Sequence, residues 1–162
     1  MKTMRLFPLE LRRLLQSRLT WLIMALTVLS PVLGLVLYKR ATSTTMLSMY
    51  LANPAITGGV AGAILFGLLA IFELDRARRS RVDILTDAVV SPLTTALTRL
   101  LALLTAAVLT AGLTMLVWLP VSVGLIGAVF TGANYVLAYL LFMGLALPLG
   151  IQIGRASCRE RV

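Results

Sequence analysis

Histidine is absent from this chain, cysteine occurs once, and only six acidic residues stand against fifteen Lys and Arg. These shortages exclude whole classes of chemistry. With no histidine and a single thiol there is no His/Cys set for zinc, no disulfide framework, and no imidazole to activate a nucleophile. The two lysines, Lys2 and Lys39, stand outside any G-x-x-x-x-G-K-[ST] pattern, so the sequence holds no phosphate-binding P-loop. Charge of either sign is missing altogether from residues 100–154. Proton and ion relays ordinarily use ionisable side chains within the bilayer, and the centres of the later apolar runs supply none. No catalytic residue, cofactor or metal site is therefore expected, and the chain reads as a non-enzyme.

What the sequence has in abundance is apolar length. Of its 162 residues 59% are hydrophobic and 13% charged, with a mean hydropathy of +0.96, far from the composition of a soluble domain. The expected fold class is an all-α polytopic membrane protein. At roughly 20 apolar residues per crossing, the chain accommodates about four spans with short connections. A net charge of +9 is also a trait of nucleic-acid binders, but the basic residues cluster at the ends of apolar runs, as bilayer orientation requires. No nucleic-acid partner is expected.

Residues 1–18 read as a cytoplasmic amphipathic helix. A helical projection puts Met4, Phe7, Leu11, Leu14 and Leu15 on one arc, with Arg5, Arg12, Arg13 and Gln16 opposite. Pro8 suits a first helical turn, so the helix is expected to start there and to lie in the inner interface, bound to membrane lipid through area and charge. Residues 19–38 form the first span, flanked by Trp21 and Tyr38, with Pro31 as a potential kink; the run is too long for a signal-peptide core. Residues 39–54 read as a Ser/Thr-rich connection. The second span, 55–72, carries Gly59, Ala63 and Gly67 at four-residue spacing, a small-residue stripe expected to pack against another helix.

A polar interruption follows, ELDRARRSR from Glu73 to Arg81, and after it Val82, Leu85 and Val89 recur at helical spacing among Asp83 and Asp87. This pattern predicts a short amphipathic helix in the loop 73–93. Ser91 ahead of Pro92 reads as the N-cap and first turn of the next helix. The third and fourth spans are expected at 94–118 and 135–152, with Trp118 and Tyr135 as interface anchors. The apolar segment 120–134 between them fits three arrangements equally: a continuation of the third helix, a dip into the membrane, or a stretch lying in the outer interface. Five basic residues precede the first span, five lie between Arg76 and Arg99, two occupy the first connection and none the last. That bias places the N-terminus and the Arg-rich loop in the cytoplasm, with the chain in the cell membrane.

Residues 153–162, IGRASCRERV, resemble the translation of a common sequencing adapter, break the preceding composition and hold Cys158. They are set aside as an artefact, which implies a protein that continues beyond residue 152.

Phe72, Glu73, Asp75 and Arg76, the amphipathic stretch 83–90, and the Ser91–Pro92 pair together resemble the permease of ATP-binding-cassette (ABC) exporters of the type-2 integral membrane class. That family carries an amphipathic N-terminal helix, an F-E-x-D-R-like pattern after the second span, a coupling helix, and a Ser/Thr-Pro pair before the third. The resemblance covers most of residues 4–152. It implies a six-helix domain of which four spans are visible here, and pairing with a second permease copy or homologue. It also implies a cytoplasmic ABC-type ATPase gripping a coupling region of Glu73, Asp75, Arg76, Asp83, Leu85, Asp87 and Val89. The chain departs from the family where Arg78, Ser80 and Arg81 replace an acidic and small E-G-T-like segment. The competing reading is a small four-span structural or assembly protein whose Arg-rich loop only sets topology.

Overall fold

The computed structural model describes residues 2–41, 47–79, 91–126 and 131–159. Among these the chain is helical nearly throughout: α1 (Lys2–Leu15), α2 (Arg18–Leu29), α3 (Pro31–Ala41), α4 (Leu47–Arg79), α5 (Pro92–Ile126) and α6 (Gly132–Arg159). In a bilayer every backbone N–H and C=O needs an internal partner, and helices satisfy this within one segment. Four stretches are long and apolar enough to cross a membrane: Arg18–Leu37, formed by α2 and α3 together, Ala52–Arg76, Leu93–Gly124 and Gly132–Ser157. The protein is an all-α, multi-pass membrane protein.

Several boundaries differ from the sequence reading. α1 begins at Lys2, and Pro8 lies inside it rather than at its start. At the seventh residue of the helix, proline forfeits the bond its N–H would make to the carbonyl four residues earlier. Much of the expected 39–54 connection is helical, since α3 runs to Ala41 and α4 starts at Leu47. α4 also continues past Phe72 to Arg79, so Glu73, Asp75 and Arg76 lie on its last turns rather than in a loop. At 33 residues α4 is roughly 50 Å long, well beyond a hydrocarbon core of about 30 Å. α5 begins at Pro92, where the Ser-Pro pair places it, and runs through Pro120 to Ile126, so the start of the 120–134 segment continues the third helix. α6 extends through Arg159 and includes residues 153–159.

Contacts fix the direction of each helix. Pro31 and Thr27 lie against Gly58 and Gly62 respectively, so α2–α3 runs antiparallel to α4. Gly59, Ala63 and Gly67 meet Phe142, Gly150 and Gly154 in ascending order, so α4 and α6 are parallel. Met115 and Tyr135 join α5 to α6 across the far end, the end opposite α1. The chain therefore goes up, down, up and down, with α4 at the centre.

The core lies along a ridge of α6 at strict four-residue spacing: Tyr135, Tyr139, Met143, Leu147 and Ile151, all nearly fully buried. Phe66, Leu69 and Ala70 of α4, and Leu103, Ala106 and Ala107 of α5, complete it. Leu137, Leu141, Leu145 and Leu149 are exposed, as a lipid-facing surface requires. Three buried threonines satisfy their hydroxyls on their own helices: Thr27 donates to the Ile23 carbonyl (2.8 Å), Thr110 to Ala106 (2.7 Å) and Thr114 to Thr110 (2.7 Å).

Candidate coupling site

The sequence singles out two groups of residues, and the structure places them in different parts of the bundle. Gly59, Ala63 and Gly67 lie on the α4–α6 interface, the most extensive helix pair among the described residues. A Cβ added to Gly59 would sit 2.5 Å from the Phe142 carbonyl oxygen. One added to Gly150 would collide with the Ala63 carbonyl, and one on Gly154 with the Gly67 carbonyl. The two backbones thus approach each other through small residues contributed by both helices. Gly150 and Gly154 escaped the sequence reading, although their own four-residue spacing mirrors that of the stripe.

Glu73, Asp75 and Arg76 are grouped at the α1 end. Glu73 is largely buried and pairs with Arg76 at 3.6 Å, an i,i+3 contact that supports the last turns of α4. Asp75 is exposed on the same turns. The other residues expected in a coupling region, Asp83, Leu85, Asp87 and Val89, fall outside the described residues. The polypeptide is next described at Ser91, whose carbonyl accepts the N–H groups of Thr94 (3.0 Å) and Thr95 (3.3 Å). The Ser91 hydroxyl bonds the Thr94 hydroxyl at 2.7 Å, so the α5 start is tied by side chains as well as backbone.

The structure adds a charged contact that sequence reasoning passed over. α1 packs against α5, with Leu14 buried, and the carboxylate of Glu10 stands between two guanidinium groups, Arg13 at 3.8 Å and Arg99 at 3.6 Å. Glu10 is the only acid in the N-terminal segment, and Arg99 is the only charge within the expected third span. Both could have been flagged on that ground, because a charge at a span's edge needs a partner. The apolar arc of α1 is accordingly used in part against protein, not wholly against lipid. Leu9, which is not on that arc, is 63% exposed.

Two aromatic residues also take roles the sequence did not assign. Trp118 and Tyr135, expected as interface anchors, are buried. The Trp118 indole N–H donates to the Val28 carbonyl (2.7 Å), and the Tyr135 hydroxyl donates to the Met115 carbonyl (2.6 Å). Trp21 does lie at the surface, 56% exposed, its indole N–H on the Leu15 carbonyl at 2.7 Å, where it ties the end of α1 to the start of the first span.

At the α1 end, then, a protruding acidic and basic helix terminus, the start of α5 and a docked amphipathic helix come together. Neither a protein-family model, nor a curated protein, nor a solved structure matches this chain.

Proposed function

We propose that this chain is the membrane-spanning permease subunit of an ATP-driven ABC exporter, with the N-terminus and the 80–90 segment in the cytoplasm of a cell whose plasma membrane it crosses. The observation that carries the reading is the joining of α1 by Glu10 and Arg99 to the start of α5, the helix that follows in sequence the segment resembling a coupling helix. A partner ATPase that moves this segment would act on the rigid start of α5, and the strap to α1 would draw the interfacial helix along. Hydrolysis resides on the separate ATPase chain, since this sequence carries no P-loop. A second permease copy or homologue completes the pathway.

Two experiments test this. Long-read sequencing of the source DNA across codon 152 is expected to show a frame continuing through two more spans beside a gene for a nucleotide-binding cassette. A stop near codon 152 with no such gene nearby would favour the small four-span assembly protein. Given the cassette, co-expression with Leu85→Glu and Val89→Glu together is expected to abolish ATPase association and transport; undiminished association would remove the coupling assignment.

A further inference from the structure

The elbow between α1 and α2 carries positive charge that no acid of the protein answers. The one acid in α1, Glu10, stands between Arg13 and Arg99. Arg12 and Arg18, on either side of the elbow, are exposed, and neither has an ion pair among the described residues. The first span begins at Arg18, which sets the elbow at headgroup depth.

The start of α2 adds unmet donors at the same place. Ser17 has the extended backbone of an N-cap (φ −76°, ψ 123°), yet its hydroxyl makes no capping bond. The N–H groups of Arg18, Leu19 and Thr20 have no partner among the described residues. Thr20 is fully buried and its hydroxyl is also unpartnered. The carbonyls three and four residues back, which serve Thr98 within α5, here belong to Ser17 and Gln16, at and before the helix start. Side chains on a helix lean toward its N-terminus, so the Thr20 hydroxyl lies toward this turn. Free N–H groups at the positive end of a helix favour an anion.

This charged end continues into an apolar strip. Trp21 ties the two sides of the elbow together, its indole N–H on the Leu15 carbonyl at 2.7 Å, and it is exposed one turn after Arg18. Leu22, Leu26 and Leu29 extend the same exposed side along the first span. The surface therefore runs from two unpaired guanidinium groups, past a tryptophan at the interface, onto hydrocarbon-facing leucines.

We propose that this elbow is a binding site for an anionic phospholipid. The headgroup phosphate lies at the start of α2, accepting from its first N–H groups and from the Ser17 hydroxyl, and the acyl chains lie along Leu22, Leu26 and Leu29. Arg12 and Arg18 select a headgroup of net negative charge over a zwitterionic one. This surface is separate from the apolar arc of α1, where Leu14 is buried against protein. The inference does not rest on the permease reading, because it is tested by lipid contact and not by transport, and it holds in either orientation of the chain.

The protein supplies its own reporter: of its two tryptophans Trp118 is buried and Trp21 faces lipid. The full chain is reconstituted in vesicles of one fixed mixture of phosphatidylcholine and phosphatidylglycerol, with brominated, quenching acyl chains on one lipid or the other. Quenching should show phosphatidylglycerol enriched beside Trp21 by about five- to 25-fold over its mole fraction, at about 1 kcal/mol for each arginine. Arg12→Gln with Arg18→Gln should abolish the enrichment. Lys2→Gln with Arg5→Gln, which removes the same charge from the start of α1, should leave it in place. Quenching by brominated phosphatidylcholine in each variant checks that Trp21 still faces lipid. No enrichment in the unaltered chain, or enrichment that survives loss of Arg12 and Arg18, would overturn the proposal. So would equal losses in the two double variants, since a diffuse surface potential and not a site would then attract the lipid.

Discussion

Small residues do the most specific work in this bundle, and their environments differ enough to be told apart experimentally. Gly150 faces the Ala63 backbone so closely that a methyl group there would collide with it, whereas nothing lies within 4 Å of a Cβ added to Gly112. Backbone cannot yield as a flexible side chain can, so Gly150→Ala must push α4 and α6 apart. A cost of about 2 kcal/mol is expected, in the range for overpacked interiors. Gly112→Ala, in a helix with room to spare, should instead stabilise by about 0.5–1 kcal/mol. Unfolding in mixed micelles with increasing dodecyl sulfate would separate the two; equal effects would contradict the close approach of the helices. This contrast also marks what the sequence could reveal about single residues. The spacing of Gly59, Ala63 and Gly67 announces a face that admits another helix, but not that α6 occupies it, because a stripe describes one surface and says nothing of its partner. Trp118 and Tyr135 were open to misreading for a related reason. Aromatic residues near span ends usually serve the interface, and only the fold brings the Val28 carbonyl within reach of the Trp118 indole.

Among whole elements, span positions were legible because apolar length is a direct physical requirement of the bilayer. Helix ends were not legible where polarity and helicity part company. The segment ELDRARR is too charged for hydrocarbon yet made largely of good helix formers, with Glu73 and Arg76 paired along it, so α4 continues into water after it has left the membrane. The docking of α1 onto α5 was hidden because Glu10 and Arg99 are nearly 90 positions apart and each is ordinary by itself. Their contact is testable by charge exchange. Arg99→Glu sets two carboxylates against each other, and trypsin cleavage after Arg12 and Arg13 in reconstituted protein should accelerate. The change is expected to be up to about fivefold, the factor corresponding to about 1 kcal/mol for a partly exposed pair. Glu10→Arg combined with Arg99→Glu should return cleavage to the original rate, because it restores the pair with its signs exchanged. Failure of the double variant to recover would mean that α1 is held by Leu14 and its apolar neighbours alone.

For the molecule as a whole, four crossings in alternating directions leave the ends of α1, α4 and α6 and the start of α5 on one side, and the starts of α4 and α6 and the end of α5 on the other. The basic residues follow the same division. Those before the first span and those between Arg76 and Arg99 share the α1 end, and none lies between α5 and α6. Positive charge is retained on the cytoplasmic side during insertion, so this distribution predicts the α1 end inside. Gln16 and Asn134 are both exposed, and they occupy opposite ends of the bundle. In a Cys158→Ser background, Gln16→Cys should resist a membrane-impermeant maleimide added to intact cells and react only after permeabilisation, while Asn134→Cys should react at once. The reverse pattern would put the α1 end outside, where no ATPase or ATP is available to it, and would remove the energetic basis of the coupling proposal. Labelling of both positions from the same side would contradict the four-crossing arrangement itself. The expected pattern would set Glu73, Asp75, Arg76 and the Glu10–Arg99 contact facing the cytoplasm, where hydrolysis on another chain can do work on them.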